Sequence, residues 1–183
     1  MKYYTILLTT IFLSSIYSLS INDKAIKNIN KAFPDLVEIQ SFKLKIKDEE
    51  ISTIKSQVNQ NFYTKELYGW KIITNDNREY IAILDNVLGK SMPITFLAIF
   101  NKNRSVHNIS IIKYREPYGG EIRSKRWLRQ FENFNHFSNY KIGESIDGIR
   151  GATISTKSIS KGINKLTLLL ELKHDDLSII SNE

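Results

Sequence analysis

Apolar positions recur along this chain with two periods, one near 3.6 residues and one of 2, and the two alternate in blocks. From Asn22 to Phe33, the spacing of Ala25, Ile26, Ile29, Ala32 and Phe33 predicts one face of a helix, halted by Pro34. Phe42 to Ile46 then alternates as a half-buried strand does. Asp48 is placed to cap a second helix running to about Val58, with Ile51, Ile54 and Val58 on one face. Two strand-like runs, 67–74 and 79–87, flank Asn75, Asp76 and Asn77, a hairpin signal. Runs at 94–100 and 105–114 follow, separated by a polar turn from Asn101 to Arg104. Short strands joined by tight turns predict an antiparallel sheet.

Tyr114 to Arg123 reads as a loop leaving the sheet, because it holds Pro117 and the pair Gly119 and Gly120. Ser124 is placed to cap a helix over 125–131, whose apolar members are Trp127, Leu128 and Phe131. A last helix is predicted from about Ser155 to Leu172, with Ile159, Ile163, Leu166 and Leu170 in a single stripe, followed by a polar tail over 173–183. The class is α+β: an antiparallel sheet packed with helices. Residues 1–20 combine a short basic start, an apolar run and small residues at Ser18 and Ser20, the pattern of a secretory signal peptide cleaved after Ser20. An uncleaved membrane anchor is the other reading of that stretch; its Thr and Ser interruptions and short length count against a full span. One domain then occupies 21–183, with its core over about 24–172.

Composition narrows the chemistry. Of 183 residues, 42% are hydrophobic and 11% aromatic, enough for a packed core. The formal charge of +7 is spread along the chain and suits solubility or a polyanion partner. The absence of cysteine excludes disulfides, iron–sulfur clusters, thiolate zinc sites and c-type haem attachment. His107, His136 and His174 lack the close spacing of a metal motif and read as surface residues. A hydrolase is disfavoured because there is no Gly-x-Ser-x-Gly elbow and no histidine where a base is indicated. A secreted basic module for polyanions, without a redox cofactor, is the alternative function, although no nucleic-acid-binding motif is present.

The stretch that carries chemistry runs from Asp147 to Thr153. Gly151 and Ala152 leave room for a bulky group, Thr153 supplies an alcohol oxygen, and the helix that follows offers free N–H groups to a phosphate. This is the local chemistry of a phosphate ester. The loop before it, Arg115–Gly120, reads by itself as a surface loop whose Tyr118 packs on the sheet. Arg123, Lys125, Arg126 and Arg129 form a basic face, either solvated or a dock for an acidic redox partner.

Asp147, Gly151, Ala152 and Thr153 resemble the Asp-x-x-(Ser/Thr)-Gly-Ala-Thr motif of the FMN-binding domain proteins, a group that includes flavin-carrying subunits of membrane redox pumps. Arg150 stands where that motif has Ser or Thr. Two further runs, Leu88 to Phe96 and Tyr114 to Phe131, are similar to stretches of secreted single-domain members. The resemblance implies an FMN-binding-domain fold and FMN joined through its phosphate to Thr153 by a flavin transferase that uses FAD and Mg²⁺. It makes Asp147, by itself a turn-forming residue before Gly148, part of the recognised sequence, placing Mg²⁺ during modification. It also implies a pocket of Arg115–Gly120 with Ser155 and Thr156, where Tyr118 would lie against the flavin ring and Glu116 or neighbouring backbone such as Gly119 would hydrogen-bond its edge. It also implies an extracytoplasmic electron carrier, periplasmic or at the cell envelope, working between a membrane donor and an acceptor, with no nucleic acid partner and no substrate turnover of its own.

Overall fold

The computed structural model describes residues 20–173; the proposed signal segment and the tail beyond Lys173 lie outside the described residues. Five strands, β1 (Leu36–Lys45), β2 (Glu66–Thr74), β3 (Glu79–Leu88), β4 (Pro93–Asn101) and β5 (Val106–Lys113), form one antiparallel sheet in sequence order. The sheet is therefore a meander, and β1 and β5 are its edges. The strand expected at 42–46 begins earlier, at Leu36, because Leu36–Lys45 pairs along β2 through a bulge between Leu36 and Glu38. Phe42 faces Gly69 in that pairing, and its ring occupies the space a side chain at Gly69 would need, 2.4 Å from an ideal Cβ. An aromatic ring thus covers a strand glycine across the ladder.

Both faces of the sheet are covered, which explains why β4 reads as a nearly unbroken apolar run rather than an alternating one. On one face Leu97 and Ile99 join Trp70, Ile72, Tyr80 and Ala82 beneath α1 (Ile21–Ala32), which contributes Ala25 and Ile29. On the other face Ile94, Phe96, Ala98 and Phe100 join the larger core with α2 (Asp48–Val58) and the last helix, α4 (Thr153–Leu172). Ser20 caps α1: its hydroxyl accepts from Asp23 N at 3.1 Å, and its own N–H donates to the Asp23 carboxylate at 3.0 Å. Processing after Ser20 would remove this cap, which is typically worth about 0.5–2 kcal/mol.

Two expected helix starts are corrected. Asp48 does not cap α2; it is the first helical residue and pairs with Lys65 at 2.7 Å, while Glu50 accepts the Lys47 N–H at 2.8 Å. The 125–131 helix is a single α turn, α3 (Lys125–Leu128), flanked by 3₁₀ turns at Gly120–Arg123 and Arg129–Phe131. Ser124 caps it as expected, accepting from Trp127 N at 3.3 Å. The turns are short because Ile122, Trp127, Leu128 and Phe131 all point into the core, and a longer regular helix would carry some of them outward.

The stripe Ile159, Ile163, Leu166 and Leu170 of α4 is fully buried, and Ser160, Gly162, Lys165 and Thr167 are buried beside it. Gly162 sets the depth of packing: a Cβ there would lie 2.6 Å from Val87 and 3.1 Å from Phe96. Lys165 is fully buried and pairs with Asp85 of β3 at 2.7 Å, donating also to Asn61 O at 2.9 Å beside the Phe62 ring. Burial pushes the Asp85 carboxyl up, while the Lys165 ammonium acts to lower it. A pair this dry adds little net stability but fixes which face of α4 meets β3. Among the described residues no helix is long and apolar enough to cross a membrane.

Substituting Gly162→Val would force α4 off the sheet, because Val87 and Phe96 are held within their own strands. The expected cost is roughly 1–3 kcal/mol from overpacking, larger than the few tenths regained in helix propensity. A denaturant titration reads it as a lower midpoint at unchanged slope.

Candidate functional site

Helix α4 begins at Thr153, two residues earlier than its apolar stripe indicated. The reason is Gly151. At a φ of +78° it turns the chain by a left-handed step that most residues avoid, and Ala152 N then bonds Ile149 O at 3.0 Å. The first backbone bond of the helix is Thr156 N to Ala152 O at 2.9 Å, so the N–H groups of Thr153, Ile154 and Ser155 lack a helical acceptor. Ala152 stands at the N-cap position and offers no side-chain cap, and the first turn holds no acid. Most helices fill that position with Ser, Thr, Asp or Asn; here it is left open to an anion.

Why the cap is alanine follows from what it touches. Ala152 is buried, and Gly119, at a φ of +77°, lies so close that an added Cβ would sit 2.5 Å from the Ala152 Cβ. The two small residues of distant loops are thus in mutual contact. Tyr114 locks the contact from below: its hydroxyl donates to Tyr118 O and lies 3.5 Å from Ser155 Oγ. Ser155 and Thr156 are buried, and the Thr156 hydroxyl donates toward Ala152 O and Thr153 O at 3.1 and 3.0 Å. Their hydroxyls therefore brace the turn from inside and do not face an open pocket. Thr153 and Gly151 are exposed, and a Cβ at Gly151 would meet nothing within 4 Å.

Asp147 is fixed by its backbone. Its N–H donates to Gln130 Oε1 at 2.8 Å, and its carbonyl accepts from Trp127 Nε1 at 2.7 Å. The carboxylate itself is left exposed. Trp127 and Gln130, which no motif marks as site residues, hold the loop that presents Asp147. The only signal for them in the sequence was the similarity of the Trp127–Phe131 run to family members. Their grip on the loop supplies a physical reason for that run to accompany the motif.

Glu116 sits in a different role from the ring-edge acceptor expected. Its Oε1 accepts from Ser91 N at 2.7 Å and Met92 N at 2.9 Å, so it clamps the β3–β4 turn, which Gly89 N to Met92 O closes at 2.9 Å. Those two N–H groups hold the Glu116 carboxyl below its ordinary range. The clamp and the Gly119–Ala152 contact bring three segments to one end of the sheet: the β3–β4 turn, the 114–120 loop and the first turn of α4. There the chain exposes apolar surface at Leu88, Met92, Tyr118 and Ile154, with Tyr118 at 79%. An uncapped helix end beside exposed apolar side chains suits a ligand with one anionic and one flat aromatic part.

The expected basic face is split. Arg123, Lys125 and Arg129 line a groove with α1 and β5, whereas Arg126 is not part of its lining. Of the histidines, His107 lies over Phe33 and Tyr80, and burial lowers its pKa; His136 lies 3.5 Å from Glu171. His174 lies outside the described residues. Among the described residues no group of His, Asp or Glu is arranged to hold a metal.

Compared with known families, residues 89–167 match the model of the FMN-binding domain. The matched stretch takes in β4, β5, the 114–131 segment, the Asp147–Thr153 loop and most of α4; it is shorter than the domain core expected over about 24–172. No curated protein matches the chain.

Two measurements test the architecture of this end. Gly119→Ala combines a disfavoured φ with a clash against Ala152, and is expected to cost roughly 1–3 kcal/mol in denaturant unfolding. Because the folded pKa of Glu116 is lowered, its clamp is complete above the unfolded value of about 4.3 and is lost as pH falls through the lower folded value. The amide resonances of Ser91 and Met92 should therefore titrate below that pH, and Glu116→Gln should abolish the titration.

Proposed function

From the match of residues 89–167 to the FMN-binding domain, we propose that the chain is an extracytoplasmic electron carrier with FMN joined through its phosphate to Thr153. The observation that carries this reading is the position of Thr153, the exposed first residue of a helix whose leading N–H groups are uncapped. A phosphate on its Oγ would take the place of the missing cap. An anion at such an end gains roughly 0.3–1 kcal/mol from the helix dipole.

Attachment requires FAD, Mg²⁺ and a flavin transferase. The Thr153 oxygen bonds to the phosphorus of the FMN half of FAD, the bond from that phosphorus to the AMP half breaks, AMP leaves, and the hydroxyl proton passes to the transferase. The exposed Asp147 carboxylate, on a loop pinned by Trp127 and Gln130, suits recognition by that enzyme and placement of its Mg²⁺. Arg150, exposed three residues before Thr153, would add a cation to the modified segment.

FMN, when bound, supplies reversible one- or two-electron chemistry. The chain contributes position and surroundings. The N–H groups of Thr153, Ile154 and Ser155 would hold the phosphate, Gly151 would leave space, and Leu88, Met92, Tyr118 and Ile154 would offer apolar surface to the ring. A covalent link suits the secretory start of the chain, since outside the cytoplasm a dissociable flavin would be lost by dilution. The partners on this reading are a membrane electron donor and a separate acceptor.

Coexpression with a flavin transferase tests it. A fluorescent band is expected on a denaturing gel, with an intact mass raised by one FMN less water. Thr153→Ala should lose both signals and Thr153→Ser should keep them. A colourless wild-type band, or fluorescence that persists in Thr153→Ala, would overturn the assignment.

A further inference from the structure

A second site lies on the free edge of the sheet. Strand β5 has β4 on one side only, and the start of its outer edge is closed by Val106, whose N–H donates to Phe134 O at 2.8 Å and whose carbonyl accepts from Asn133 N at 2.7 Å. Beyond that point Asn108, Ile109, Ser110 and Ile111 line a groove of about 320 Å³ between α1 and α3. Ala32 and Ile111, both half-buried, give it apolar patches, with Ile109 and Leu128 buried beneath them.

Charge on the groove is one-sided. Lys31 projects from α1, and Arg123, Lys125 and Arg129 from the opposite rim, against a single acid, Glu132. None of these four cations forms an ion pair among the described residues, although Asp23, Glu49 and Glu121 are also surface groups of this chain. Four like charges around one slot repel one another, and an anionic occupant would relieve that repulsion. Uncovered edge strands of soluble proteins are ordinarily blunted by a charge on the strand itself or by a covering segment. Over 108–111 β5 carries no charged residue.

We propose that this groove takes an extended, acidic segment of a protein partner, which adds as a strand along β5 at Asn108–Ile111 while its carboxylates meet Lys31, Arg123, Lys125 and Arg129. A four-residue edge is about 13 Å long, which suits a short strand, and the apolar patches seat its uncharged side chains. Backbone pairing supplies affinity of the β-addition kind, and the cations select an acidic sequence. Binding here requires no flavin, so it is measured on the unmodified full chain and separates from the fate of Thr153.

The probe is a fluorescent ten-residue peptide alternating Glu and Val, titrated by anisotropy and by amide NMR. Binding is expected with shifts centred on Asn108–Ile111. Replacing Glu by Gln in the peptide, N-methylating alternate peptide bonds, or the surface double variant Arg123→Glu/Arg129→Glu should each weaken it at least about tenfold, and affinity should fall with added salt. The variant's unchanged thermal midpoint would show that it still folds. Absence of binding would overturn the proposal, as would shifts elsewhere or equal affinity for the N-methylated peptide. So would tighter binding of a single-stranded oligonucleotide or of phosphatidylserine vesicles.

Discussion

The close approach of α4 to β3 and β4 at Gly162 is the constraint on which the rest depends. A helix that buries most of its circumference cannot be shifted along its axis without moving Ile159, Ile163, Leu166 and Leu170 out of their places. Lys165, held by Asp85 and by Asn61 O, fixes its rotation as well. With both degrees of freedom removed, the N-terminus of α4 can occupy only one place, at the end of the sheet where the β3–β4 turn and the 114–120 loop emerge. The helix end, with Thr153 at its head, is positioned by packing that lies two or more turns away.

Around that fixed end, the loops are joined by small numbers of specific contacts rather than by bulk burial. Gly119 meets Ala152, Tyr114 ties Tyr118 O to the first turn of α4, Glu116 closes the β3–β4 turn, and Trp127 with Gln130 pins Asp147. Each bond satisfies a backbone group that an irregular loop would otherwise leave without a partner. The result is a rigid frame with exposed apolar side chains on its rim. A tethered cofactor gains from such a frame, because the tether fixes its location and the frame limits its orientation.

Much of this was legible in the chain itself. Periodicity located all five strands and the principal helices, because a strand or helix face must repeat its apolar residues at its own spacing. The Asp147–Thr153 motif was visible because it is contiguous, and its chemistry rests on small residues beside a hydroxyl. The starts of α2 and α4 were misplaced for opposite reasons. Asp48 found a partner in Lys65, 17 positions away, while Gly151 and Ala152 set the first turn of α4 by backbone geometry that no apolar pattern records. Glu116 neighbours Tyr118 and Gly119 in the chain, yet in the fold its carboxylate accepts from backbone groups 24 and 25 residues earlier.

What the sequence determined alone is therefore local: which segments are strands and helices, that sulfur chemistry is excluded, and that Thr153 stands beside two small residues just ahead of a helix. Those properties depend on residues near one another in the chain. What the tertiary structure decided is which distant residues meet. It turned Ser155 and Thr156 inward, made Glu116 a clamp, brought Gly119 against Ala152, and gathered Lys31 with Arg123, Lys125 and Arg129 around the β5 edge. These outcomes follow from how α1, α3 and α4 pack on a shared sheet, and packing is settled by the fit of whole surfaces rather than by any one stretch of chain.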